Sequence, residues 1–137
     1  MNLSSLRSSM SGRLELFAPA PAETIQRLKL QFAGFLLSEY VELLEESNGV
    51  GELFSEAGSK FVHNMLLFGV EDAISHSQTF GPGFLVVGAP GVDGVLYGLK
   101  PNGVQVFAYL PIDQEYVEVA NSAQDLVVKW LANEVHL

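Results

Sequence analysis

Two dipeptides, Asp93-Gly94 and Asn102-Gly103, constrain what this chain can fold into more than any other feature. Each sits between apolar runs at hairpin distance, and each supplies the positive φ angles that a tight turn requires. Strands joined by such short links are antiparallel, because a parallel crossover needs about a dozen residues or more. Residues 61–68, 84–88, 95–99, 104–110 and 116–119 are rich in apolar and aromatic side chains and read as the strands. Residues 70–77, between the first two, read as a short helix.

The chain on either side of this meander is helical in pattern. The first ordered element is expected near Pro21, whose missing N–H would be unpaired in a first turn anyway. Ile25, Leu28 and Phe32 then recur at helical spacing until Gly34 breaks the run. Ser38 reads as the N-cap of a second helix, with Glu39 at the positive end of its dipole. Tyr40, Leu43 and Leu44 form its inward stripe, Glu39, Glu42, Glu45 and Glu46 point elsewhere, and Asn48-Gly49 ends it. Near the C-terminus Ser122 and Asp125 have the form of a capping box. Leu126, Val127, Trp130 and Leu131 follow as a buried face, with Trp130 expected to be largely covered. Helices, a meander and a helix make an α+β domain.

At 137 residues the chain has the size of one domain. Residues 1–13, rich in serine, read as a mobile tail and residues 14–137 as the domain. A composition of 48% hydrophobic and 17% charged residues excludes a wholly disordered chain. The absence of cysteine excludes a disulfide framework, a thiolate metal site and a cysteine nucleophile. The net charge is −9 and unevenly spread. Residues 1–30 carry four basic and two acidic side chains, whereas the remainder carries three lysines against 14 acids. So acidic a body repels phosphate backbones and anionic lipid, which argues against nucleic-acid and membrane partners. Its acidity serves either solubility or a basic protein partner. No uninterrupted apolar run resembles a targeting or membrane-spanning segment, so the expected location is the cytoplasm.

Catalytic patterns are missing. His63, His76 and His136 lie 13 and 60 positions apart with no ligand spacing between them. Gly81-Pro82-Gly83 precedes a strand rather than opening a helix, and Gly94–Lys100 lacks the phosphate-loop spacing. No serine lies in a nucleophile-elbow pattern, and adjacent Glu45 and Glu46 diverge by roughly 100° on a helix. The expectation is a protein with no catalytic residues, no metal and no cofactor.

One constellation stands out. Glu39, Glu42, Glu45, Glu46, Glu52 and Glu56 are six acids with no lysine or arginine among them. On a helix, positions 39, 42 and 46 share a side. Either this is an ordinary solvated face or it is a docking strip for a basic partner.

The order of these pieces resembles the SUKH superfamily, which includes the fungal cell-wall assembly regulators and many bacterial domains. The resemblance lies in the helix Glu23–Phe32, then Leu36-Leu37-Ser38-Glu39-Tyr40, Leu43-Leu44 and Ser47-Asn48-Gly49. It continues through Phe84-Leu85-Val86-Val87-Gly88, Asp93-Gly94 and Tyr97-Gly98-Leu99 to Val119-Ala120-Asn121-Ser122, covering roughly residues 20–135. It implies a mostly antiparallel sheet of about four to six strands, flanked by two N-terminal helices and one C-terminal helix. It also implies a non-enzymatic protein-binding role. Bacterial members commonly act as immunity proteins that neutralise toxins, often nucleases, and such toxins are commonly basic; fungal members are regulatory adaptors.

Overall fold

The computed structural model describes residues 2–5, 14–56, 59–91, 93–132 and 134–135, with the backbone alone at 54–56 and 59–63. Three-residue β1 (Leu14–Leu16) leads into helices α1 (Ala22–Gln31) and α2 (Ser38–Glu46), then strands β2 (Val50–Glu56) and β3 (Ser59–Leu67). Helix α3 (Val70–Phe80) crosses to β4 (Leu85–Gly88), β5 (Leu96–Leu99), β6 (Val106–Leu110) and β7 (Glu115–Ala120), and α4 (Ala123–Leu131) closes the fold. The architecture is α+β with antiparallel pairing throughout the named strands.

The meander forms one sheet in the order β4-β5-β6-β7. At the anticipated turns Asp93, Gly94 and Asn102 have positive φ, at 47°, 73° and 63°, whereas Gly103 does not. A third turn, ending in Gln114 at φ 55°, links β6 to β7 without a glycine. In the other sheet, β1-β2-β3, only β3 was anticipated, as residues 61–68; β1 and β2 go beyond the sequence expectation and bring the strands to seven. Ordered structure therefore starts before Pro21. Strand β1 has only three residues, and the register of β2 against β3 shifts at Val50/Gly51 and Glu52/Leu53, where Leu66 and His63 are the extra residues on β3.

The sheets meet where Met65 bridges Ala89, with Phe68 N–H donating to Val87 O (2.6 Å) and Ala89 N–H to Met65 O (2.9 Å). This approach depends on Gly88, where a Cβ would lie 2.1 Å from the Leu66 carbonyl oxygen.

Helices cover the join. α3 packs on β4 and α1, while α4 packs on β7 and α2. Tyr40, Leu43, Leu44, Leu85, Leu99 and Leu126 are among the side chains buried in this core. Tyr40 donates its phenol proton to Phe68 O (2.6 Å), tying α2 to the β3–α3 corner. Arg27 pairs with Glu71 across α1 and α3.

The segment Ser47-Asn48-Gly49 does more than end α2. Ser47 Oγ accepts from Phe17 N–H (2.8 Å) and donates to Gly49 O (2.6 Å). Asn48 N–H donates to Ala18 O (2.9 Å), and its Oδ1 accepts from Val70 N–H (2.9 Å), capping α3 from a distant part of the chain. Gly49, at φ 110°, supplies the reversal between α2 and β2.

Three expectations change in detail. Ser38 is the first residue of α2 and Leu37 its cap, with no side chain capping the helix. Trp130 is half-buried at the edge of the α4 face, where Leu126, Val127 and Leu131 are the buried members. Most of residues 1–13 lies outside the described residues. Within 2–5, a single helical turn, Leu3 is buried and its N–H donates to Glu46 Oε1 (2.8 Å).

Candidate functional site

α1 ends in a tight reversal. Phe32 N–H closes the helix on Leu28 O (3.0 Å), and Phe35 N–H turns back to Phe32 O (3.0 Å). The Phe32 and Phe35 rings meet edge to face at 5.7 Å. Gly34 O accepts from Asn102 N–H (3.2 Å), fastening the reversal to the β5–β6 turn. The chain then enters α2 at an angle that leaves an open groove of about 530 Å³ between the two helices.

Aromatic and aliphatic groups form the floor: Phe32, Phe35, Leu37 and Val41. α2 contributes Ser38, Val41, Glu42 and Glu45, an i, i+3, i+4, i+7 stripe that places both glutamates along one wall. Lys29, in the last turn of α1, also lines it. Beyond the rim, Leu30 and Leu36 are 71% and 49% exposed, extending the apolar surface.

The structure divides the six candidate acids. Glu42 and Glu45 reach the groove. Glu42 is held by Gln124 Nε2, which donates to its Oε2 (2.8 Å), so α4 fixes the direction of the wall. Glu45 is exposed and has no hydrogen-bond or ion-pair partner among the described residues. Glu46 turns to the backbone of Leu3. Glu39 has one carboxylate oxygen buried without a hydrogen-bond partner. Glu52, on β2, accepts from Asn64 Nδ2 (2.9 Å), which also donates to Pro90 O (2.6 Å). The side chain of Glu56 lies outside the described residues. Helical spacing alone grouped 39, 42 and 46. The pair that shares a groove is 42 and 45, and the missed signal is Val41, a second apolar position beside the Tyr40–Leu43–Leu44 stripe.

A second surface lies on the meander. Cross-strand register places Phe107, Tyr109 and Tyr116 on one face of β6 and β7. Tyr109 and Tyr116 rings are 5.1 Å apart, Phe80 of α3 meets Tyr109 at 4.9 Å, and Phe84 meets Tyr116 at 5.1 Å. Lys100 Nζ sits 4.1 Å from the Phe107 centroid and 4.6 Å from that of Tyr116. These side chains pack on one another.

Beside Gly81 and Pro82 a smaller hollow of about 290 Å³ is lined by Gln31, Phe32, Ser77 and Gln78. His76 stacks on Phe68 with centroids 4.4 Å apart. The side chain of His63 and the whole of His136 lie outside the described residues. Two buried phenols are perturbed: burial, with Asp72 adding to it, raises Tyr40 well above the usual tyrosine range. Burial, then the charge of Glu52, pushes Tyr97 up to about 12. Among the described residues no helix is long and apolar enough to cross a membrane.

The chain matches no protein-family model and no curated protein.

Proposed function

We propose that this chain is a non-enzymatic protein-binding module of SUKH type that acts in the cytoplasm as an immunity protein, neutralising a basic toxin domain. The observation that carries this reading is the groove between α1 and α2, with Phe32, Phe35, Leu37 and Val41 as its floor and Glu42 and Glu45 on its wall. A binding surface needs a desolvated apolar centre for affinity and charge around it for encounter and discrimination. This groove offers both within one small area. A nuclease toxin must itself attract phosphate, so its active face is positively charged and complements an acid-walled inhibitor.

The test is protection. A toxin domain encoded beside the gene for this chain is expressed in a bacterium with and without it. The expected result is growth restored by the chain, with a complex recovered on size exclusion and the toxin's activity blocked in vitro. Unrelieved growth arrest with both proteins soluble, and no complex, would overturn the immunity reading. Recovery instead of an intracellular regulator, bound without any toxin, would favour an adaptor role.

A further inference from the structure

We propose that the groove between α1 and α2 receives a single large apolar side chain of a protein partner, flanked by lysine or arginine residues that meet Glu42 and Glu45. This rests on the protein-binding reading above and names the chemistry of the segment that is bound.

The groove is an open recess between the two helices. Its floor is apolar, yet no side chain among the described residues fills the space of about 530 Å³. Apolar surface of this shape gains from an anchor that displaces water. The walls then choose the anchor's neighbours. Glu42 and Glu45 are one helical turn apart, on the same side of α2, and point along the same edge. Glu42 is already oriented by Gln124, and Glu45 is unpaired among the described residues. An oriented acid beside a free one suits two separate cations better than a single one. Exposed Leu30 and Leu36 continue the apolar surface past the rim, farther than a small molecule seated in the groove would cover. Among the described residues Lys29 is the groove's only basic lining residue, and it works against a cationic segment. It therefore provides a change of opposite sign.

The experiment uses the full chain, isotopically labelled, and three synthetic pentapeptides observed by NMR. The first has a central Trp with two Lys on each side, the second replaces Trp with Ser, and the third replaces every Lys with Glu. The first should shift the amides of Ala33, Phe35, Val41 and Glu45 and saturate at about 1 mM, a weak affinity suited to one isolated anchor. The Ser and Glu peptides should bind at least about tenfold more weakly, having lost the anchor or the charge match. E42K/E45K should weaken the first peptide about tenfold, while K29E should tighten it about threefold. E115K/E118K adds the same charge on β7, away from the groove lining, and should change binding less than about twofold because salt screens distant charges.

Opposite responses of K29E and E42K/E45K cannot come from misfolding. Shifts centred on Tyr109 and Tyr116, equal binding of the Ser peptide, no saturable binding, or an E115K/E118K loss as large as that of E42K/E45K would each overturn the proposal. Toxin protection that survives E42K/E45K unchanged would overturn the groove as the toxin's site while leaving the immunity role standing. Peptide binding in the groove without protection from any toxin would overturn the immunity role and leave the groove assignment intact.

Discussion

Helices α2 and α4 are equal in length and packed together, but they are stabilised in different ways. Each spans nine residues and buries four side chains: Tyr40, Val41, Leu43 and Leu44 in α2, and Ala123, Leu126, Val127 and Leu131 in α4. α4 is also well made locally. Ser122 Oγ accepts from Asp125 N–H (3.1 Å), Asp125 accepts in turn from Asn121 N–H (2.8 Å), and Lys129 lies 3.4 Å from Asp125. α2 has none of these devices. No side chain caps it, its last turn holds no base, and Glu45 and Glu46 sit at the negative end of its dipole. Its buried face and hydrogen bonds to other elements, such as that of Tyr40 to Phe68 O, hold it in place. Two of its outer residues, Glu42 and Glu45, form the groove wall.

Three experiments can break or sharpen this contrast. Removing a buried leucine should cost the most and should not distinguish the helices. Leu43→Ala and Leu126→Ala, both at fully buried positions, should each lower stability by about 2–5 kcal/mol in urea denaturation. A Leu43 cost below about 1 kcal/mol would mean α2 is not held by its packed face.

Next comes the phenol. Tyr40→Phe should cost about 1–3 kcal/mol, because it leaves the buried Phe68 carbonyl without that donor. The substitution should also alter the alkaline limb. An ordinary tyrosine titrates at 10.0, and the folded protein raises Tyr40 above that, so the native state holds its proton longer than the unfolded chain does. This contribution is whole below pH 10 and is lost as pH climbs through 10 toward the raised folded value. Stability measured from pH 8 to 11 should fall at the alkaline end and fall less steeply in Tyr40→Phe. Identical slopes would remove Tyr40 as the source, leaving Tyr97 to account for the decline.

The smallest effect tests the caps directly. Ser122→Ala should cost about 1 kcal/mol, whereas Ser38→Ala, at the matching end of α2, should stay within about 0.5 kcal/mol. Equal losses would show that α2 depends on its first residue after all.

The meander was legible because its turns state their geometry in residue types: Asp93-Gly94 and Asn102-Gly103 each announce a positive φ. The turn at Gln114 was not, since glutamine carries no such signal. In the N-terminal sheet β3 was read as residues 61–68, and the other two strands were hidden for two reasons. β1 is too short to display a period, and β2, Val-Gly-Glu-Leu-Phe-Ser-Glu, does not alternate apolar with polar residues. The α4 face was read correctly except at Trp130, whose position beside Leu131 places it on the edge of the stripe. Acidity pointed to α2 but not to its working pair. Spacing makes 42 a neighbour of 39, 45 and 46 alike, and only the reversal at Phe32–Phe35 decides which of them borders a recess.

The missing side chain at position 88 has a consequence for how such a protein can change over generations. The space beyond its Cα is occupied by the Leu66 carbonyl oxygen, so any replacement pushes backbone against backbone. The wall and rim of the groove are under no such restriction, because Leu30, Leu36, Glu42 and Glu45 meet solvent. A lineage tracking a changing adversary could rewrite those four positions repeatedly while position 88 stayed fixed.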